Sequence, residues 1–277
     1  MSSTNGEARA AESGATGFKL AVLAADRSLG IAWADPGAWR ADAPALALLS
    51  QRERTRYAAF TRPEAAHSFA LGRALIRELV AYVSAVPADA VRVDAMCPTC
   101  GGPHGKPIIA APIAARGRIH VSVSRCVGVV VAAATTAGPI GVDVEPADTG
   151  KDRISGVRSI APAPPGIDAE SAEATLRRWT AIEAVLKADG RGLTLDPSNV
   201  TFYRTASAAD PAIAADATGG AVTAQIGDER ARYAVTHPQI DWAFVVGIAV
   251  AQRGGGSAGS AWSTSHRSKK SSSGASE

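Results

Sequence analysis

Between residues 119 and 144 the chain carries three strand-length segments of β-branched and small apolar residues. The third of them, Ile140-Gly141-Val142-Asp143-Val144-Glu145, is interrupted by two carboxylates. Residues 119–124 and 127–135 alternate or run apolar, with Arg125 and Cys126 read as the tight connection between them. Such a run commits the region to a sheet and leaves Asp143 and Glu145 to be explained. Residues i and i+2 of a strand leave from one face, roughly 7 Å apart along the backbone, while Ile140, Val142 and Val144 fill the other. A half-buried strand with a wholly anionic polar face is therefore expected, and its two carboxylates repel unless a cation lies between them.

Downstream, Trp179-Thr180-Ala181-Ile182-Glu183-Ala184-Val185-Leu186-Lys187 lies in a helical pattern over residues 172–188 that Gly190 and Gly192 end. Glu183 and Lys187, at i and i+4, share a helical face, with Trp179 one turn earlier. Asp143, Glu145 and Glu183 are hard oxygen ligands without a histidine among them, a set that suits magnesium, or manganese, better than zinc. Magnesium held by few protein oxygens completes its shell with water and substrate phosphates, and Lys187 could bind such a phosphate. The plain alternative is a solvated strand face and a surface Glu183–Lys187 ion pair.

The remaining pattern organises the chain around these motifs. A strand is expected at residues 18–24, helices at 43–60 and 68–83, and the latter places Phe69, Leu75, Ile76 and Leu79 on one side. Pro162, Pro164, Pro165 and Gly166 mark a loop, and strands follow at 200–204, 221–226, 233–237 and 242–251, mostly joined as hairpins. The fold class read from this is α+β. With 46% hydrophobic residues the chain can build a sizeable core. Residues 1–16 and 253–277 are small and polar and are expected to be disordered. The net charge of +3 sits entirely in that tail, where Arg253, Arg267, Lys269 and Lys270 face only Glu277, so the body is neutral. A neutral body argues against a broad nucleic-acid surface. No apolar run reaches bilayer length, and the first 16 residues show no basic-then-apolar leader pattern. Three cysteines make a poor disulfide framework, so a cytoplasmic location is expected.

Read in order, Gly-Val-Asp-Val-Glu, then Trp-Thr-x-x-Glu-Ala-x-x-Lys, then Gly190-x-Gly192-Leu193 resembles the 4'-phosphopantetheinyl transferases, in their long, pseudodimeric class. The likeness extends upstream through His67-Ser68-Phe69-Ala70-Leu71-Gly72-Arg73, Gly105-Lys106-Pro107 and Ser122-Val123-Ser124-Arg125, covering about residues 52–251. The resemblance implies two similar α/β lobes, 17–137 and 138–252, related by a pseudo-twofold axis. Each is a mostly antiparallel sheet with a packed helix, and the active site lies in the cleft between them. It further implies transfer of the phosphopantetheine arm of coenzyme A to a serine of an acyl or peptidyl carrier protein by a monomer. Magnesium would sit on Asp143, Glu145 and Glu183. Glu183 and Lys187 would be catalytic, and Arg56, Lys106, Ser124, Arg125 and Lys187 would hold the coenzyme A phosphates. The chain departs from the family pattern at Ile182, where a lysine is usual, at Arg125, where many members have histidine, and at Ser68 and Ala147.

Cys97-Pro98-Thr99-Cys100-Gly101-Gly102, followed by His104, is a second chemical segment. Cys-Pro-x-Cys-Gly is a turn that presents two thiolates to zinc, but the segment supplies three ligands, with Cys126 or His67 as candidates for a fourth. The favoured reading is a loop with free thiols leading into Lys106. Two other function classes stay open: a non-catalytic coenzyme A binding relative, and a zinc-containing nucleic-acid or adaptor protein.

Overall fold

The three strands expected between residues 119 and 144 are present, and they belong to two different sheets. The computed structural model describes residues 10–13, 18–23, 28–39, 43–97, 99–110, 117–163, 170–205 and 221–252. The 253–277 tail and most of residues 1–16 lie outside these. In chain order the first half carries β1 (Ala10–Ser13), β2 (Phe18–Val22), β3 (Leu29–Ala34), α1 (Ala43–Ala47), α2 (Gln51–Ala58), α3 (Pro63–Ser84), β4 (Val93–Asp94), β5 (Ile108–Ile109), β6 (His120–Cys126) and β7 (Val129–Thr135). The second half carries β8 (Ile140–Pro146), α4 (Lys151–Ile160), α5 (Ala172–Asp189), β9 (Val200–Thr205), β10 (Ala221–Ile226), β11 (Arg232–Thr236) and β12 (Phe244–Ala251). Two five-stranded antiparallel sheets result, ordered β1-β2-β3-β7-β6 and β8-β12-β11-β10-β9, with β4 and β5 paired separately. The fold is mixed α+β.

Several local expectations change. The 43–60 helix is broken at Ser50, which caps α2: its hydroxyl accepts from the Glu53 N–H, and its own N–H donates to the Glu53 carboxylate. That reciprocal box satisfies two otherwise orphaned donors and makes a fresh start cheaper than a continuous helix. The β6–β7 connection is Val127-Gly128 rather than Arg125-Cys126, which still pair with Val130 and Val129. Gly128, at φ 86°, supplies the left-handed turn that a side chain would strain. Ala10–Ser13, within the segment expected to be disordered, pairs with β2. β3 and α4 have no counterpart among the expected elements. Only Ile154 and Val157 of α4 are buried, too few to show a periodic stripe.

Packing follows strand parity. On β3 and β7, Ala32, Ala34, Val130, Ala132 and Ala134 face α3, whose Leu71, Leu75, Ile76, Leu79 and Val80 are fully buried. The alternate residues Ile31, Trp33, Val129, Val131 and Ala133 meet Ile140, Val142, Val144, Val246 and Ile248 of the second sheet in a separate core. α5 covers the far face of that second sheet. β8 is thus enclosed on both sides, and Asp143 is only 6% exposed. The half-exposed anionic strand expected from sequence is corrected to a buried one, because α5 lies on its polar face.

Glycine sets how closely α5 approaches. A Cβ on Gly141 would fall 1.9 Å from the Ala184 carbonyl oxygen, and one on Gly247 would fall 2.6 Å from that of Thr180. Bare backbone on β8 and β12 lets the helix sit directly on the strands and brings Glu183 and Lys187 down beside Asp143.

Candidate metal and phosphate site

Asp143 is held from two directions. Lys187 Nζ donates to Asp143 Oδ1 at 2.6 Å, to Ser124 Oγ at 3.0 Å and to the Val142 carbonyl at 3.2 Å. The Ser124 hydroxyl in turn donates to the same Asp143 oxygen at 2.8 Å. Strand β6, strand β8 and helix α5 therefore converge on one carboxylate. Ser122 ties the strands together again, its hydroxyl accepting from the Val142 N–H at 3.1 Å. The plain alternative of a surface Glu183–Lys187 ion pair is not what forms: Lys187 makes this partly buried bridge to Asp143.

Glu145, two residues along β8, also faces α5, where it accepts from the Trp179 indole N–H at 3.2 Å and from Arg153 at 2.6 Å. Trp179 stands one turn before Glu183, as the periodicity requires. Burial pushes the Glu183 carboxyl above the usual glutamate range; Lys187 opposes the shift, whereas Asp143 and Glu145 add to it. Asp143 and Glu145 lie near enough to add to the Glu183 shift, a concentration of negative charge that a divalent cation would relieve. Ile182, at the position where the resembled family carries lysine, is a core residue at 3% exposure, so its apolarity serves packing.

Beside Ser124, Arg125 belongs to a second group. Arg125 and Arg56 each lie below the ordinary guanidinium range, chiefly through desolvation by the protein packed around them, and Arg56 repels Arg125, whose side chain still reaches solvent. Arg73 is lowered further, to about 10, by burial against the attraction of Glu53 and with repulsion from Arg56, Arg77 and Arg125. Arg56 and Arg73 both lie against Phe69, 4.9 and 5.2 Å from its ring centre, and Arg56 also donates to the Pro103 carbonyl. One buried carboxylate, Glu53, serves Arg73 at 3.2 Å and Arg77 at 2.6 Å. Cations outnumber anions here, and such a surplus attracts phosphate. Arg73 was not singled out from sequence; the available signal was a cation on the apolar face of a long helix. Arg153 was missed because α4 was.

Glu53 also completes the α2 capping box, so Glu53→Gln is expected to lower stability by about 2 kcal/mol, as two buried guanidiniums lose their counter-charge. Urea unfolding checks this, and a midpoint equal to wild type would sink the assignment.

Lys106, expected on a phosphate, instead donates to the Lys187 and Ala188 carbonyls at 2.5 and 2.9 Å, at the negative end of α5. Burial pushes its amine down to about 8, with Arg118 adding to the shift and Asp189 opposing it. A neutral amine still has donors for both carbonyls. Because the folded value lies below the 10.5 of a free lysine, the unfolded chain binds the extra proton between these limits. The destabilisation is full below about pH 8 and fades as pH rises toward 10.5. Wild type is therefore expected to gain stability relative to Lys106→Met across that window in urea titrations. A flat difference would overturn this.

Among the described residues, one set of histidine, cysteine or carboxylate ligand atoms lies mutually within 4.8 Å: Cys97, Cys100 and His104. The Asp143, Glu145 and Glu183 oxygens do not close to that distance as a set. His67 packs edge-on against Trp39, ring centres 6.5 Å apart. The Cys126 thiol donates to Val127 O and is pushed up to about 12 by burial and by Glu145 and Asp143. Neither joins the cysteine cluster. A cavity of about 220 Å³, lined in part by Glu173, Arg177, His237, Trp242 and Phe244, contains none of Asp143, Glu145 and Glu183. No family model matches the chain, and no curated protein matches it.

Proposed function

We propose that the chain transfers the 4'-phosphopantetheine arm of coenzyme A to a serine of an acyl or peptidyl carrier protein and releases adenosine 3',5'-bisphosphate. The observation that carries this reading is continuity. On β6, an edge strand of its sheet, Ser124 faces the carboxylate group on β8 and α5, and the next residue, Arg125, leaves from the opposite face to lie with the arginine group on α2 and α3. An acidic centre suited to a hard cation, with surplus guanidiniums across one edge strand from it, suits a diphosphate with a further phosphate beyond it.

In this reading the carrier serine oxygen bonds to the phosphorus that bears the pantetheine arm, and the bond from that phosphorus to the bridging oxygen breaks. Glu183, its carboxyl raised by burial, takes the serine proton. Lys187 contacts the pyrophosphate and stabilises charge on the departing oxygen. Arg56, Arg73 and Arg125 hold the remaining phosphate, with Ser124 beside them. Asp143, Glu145 and Glu183 would hold magnesium, or manganese, which when bound neutralises pyrophosphate charge. Lys106 fixes the end of α5 that carries Lys187. The nucleophile belongs to the carrier, so no serine–histidine–aspartate triad is needed. The two halves act as lobes related by a pseudo-twofold axis, with coenzyme A in the cleft between them, in a cytoplasmic monomer.

Mass spectrometry of apo carrier proteins incubated with the chain, coenzyme A and magnesium tests the reading. A mass gain equal to one phosphopantetheine arm is expected. No modification across fatty-acid, polyketide and peptide carriers would end it.

A further inference from the structure

The loop that follows β4 is built as a ligand turn. Cys97 N–H donates to the Gly102 carbonyl at 2.8 Å and Gly101 N–H to the Cys97 carbonyl at 2.9 Å, closing a tight loop around the two sulfurs. Gly101, at φ 70°, takes the left-handed conformation the turn needs. Backbone N–H groups of Thr99 and Cys100 are directed at Cys97 Sγ, and that of Gly102 at Cys100 Sγ, 3.4 Å away.

His104 completes the group, with Nε2 2.9 Å from Cys100 Sγ. A Cβ on Gly102 would lie 3.2 Å from that sulfur and 3.3 Å from that nitrogen, so glycine keeps the space between the ligands clear. Gly105 closes the loop, its N–H donating to Ala95 O at 2.7 Å, and a Cβ there would fall 2.3 Å from the Met96 carbonyl oxygen. With Zn–S near 2.3 Å and Zn–N near 2.0 Å, a tetrahedral sulfur–nitrogen edge is about 3.5 Å, within a small rotation of the observed contact.

We infer that Cys97, Cys100 and His104 bind one zinc ion, with water in the fourth position. All three atoms lie within 4.8 Å of one another; Cys100 and His104 are exposed and Cys97 partly so, which leaves the group open to an entering ion. Two sulfurs and one imidazole select a softer ion than the carboxylate group on β8 and α5 does. The ion's work is to stiffen the loop. Pro103 receives Arg56, and Lys106 reaches from the same loop to the end of α5, so fixing residues 97–106 fixes contacts to both halves of the molecule.

The test uses the full chain, purified reduced from zinc-supplemented cells. About one zinc per chain is expected by elemental analysis, and cobalt replacing it gives a thiolate-to-cobalt absorption band. Cys100→Ser and His104→Ala are expected to lose at least about tenfold in zinc affinity, while Cys126→Ser keeps the metal. Metal-free protein without a cobalt–thiolate band overturns the inference, as does a Cys97–Cys100 disulfide in place of metal or full zinc retention in Cys100→Ser. Zinc content is read apart from transfer to a carrier, so this inference and the proposed activity fail separately.

Discussion

Asp143→Asn and Glu183→Gln are each expected to lower transfer to a carrier serine by about 10²- to 10³-fold, the scale lost when one charge-stabilising group is removed from a polar active site. Both changes keep shape and remove charge. In Asp143→Asn the amide oxygen would still accept from Ser124 and Lys187, which now meet at one Asp143 oxygen 2.8 and 2.6 Å away, so the strand–helix junction should survive. Stability is expected to change little for Glu183→Gln, because a buried amide avoids the desolvation that already pushes that carboxyl upward. Coenzyme A affinity, measured by calorimetry, should fall much less than turnover, since Arg56, Arg73 and Arg125 are untouched. The check is the rate of holo-carrier formation under magnesium, followed by mass spectrometry. Variants as fast as wild type would dissociate these carboxylates from the reaction; loss of binding and turnover together would point to damaged packing instead.

Gly141→Ala is expected to cost at least about 4 kcal/mol, a large part of the 5–15 kcal/mol that holds a typical domain together. The new methyl would overlap backbone, 1.9 Å from Ala184 O and 2.6 Å from Ala188 N, which no side-chain rotation relieves. Relief requires α5 to lift from β8, and its face bearing Trp179, Val185 and Leu186 is buried against the sheet. The variant should appear largely in the insoluble fraction, or melt far below wild type. Its control is Gly156→Ala on α4, where a Cβ meets nothing within 4 Å and helix propensity favours alanine. A Gly141→Ala protein melting within a few degrees of wild type would mean that α5 is not seated as described.

The β6 to β8 strands, α5 and β9 to β12 were legible because each carries a strong period or a clear stop. Gly190, at φ 102°, ends α5 where it was expected. The α2 start was hidden because a capping box is two polar contacts and leaves no apolar signature. β3 was hidden because Leu29–Ala34 is buried on both faces, which erases alternation. At the site, sequence spacing correctly put Asp143 and Glu145 on one face and Trp179 a turn from Glu183. It could not say that this face is covered by α5, because the permission for close approach lies in Gly141 and Gly247, more than 100 residues apart. The contacts Lys106 makes were hidden for a similar reason. Its partners are main-chain carbonyls of Lys187 and Ala188, and backbone acceptors have no sequence identity to read.

The core between the two sheets makes the halves obligate companions. Severed at residues 136–139, the first would present Ile31, Trp33 and Val131 to water, and the second Ile140, Val142 and Ile248. Neither sheet has another element to cover that face among the described residues, so fragments would have to reassociate to be soluble. An insertion in this link is no easier. Gly138 is already pressed toward Ala251, where a Cβ would lie 2.7 Å from the carbonyl oxygen. Domain shuffling that swaps one half for a foreign one must therefore match an entire apolar surface, and the pair would be inherited as a unit.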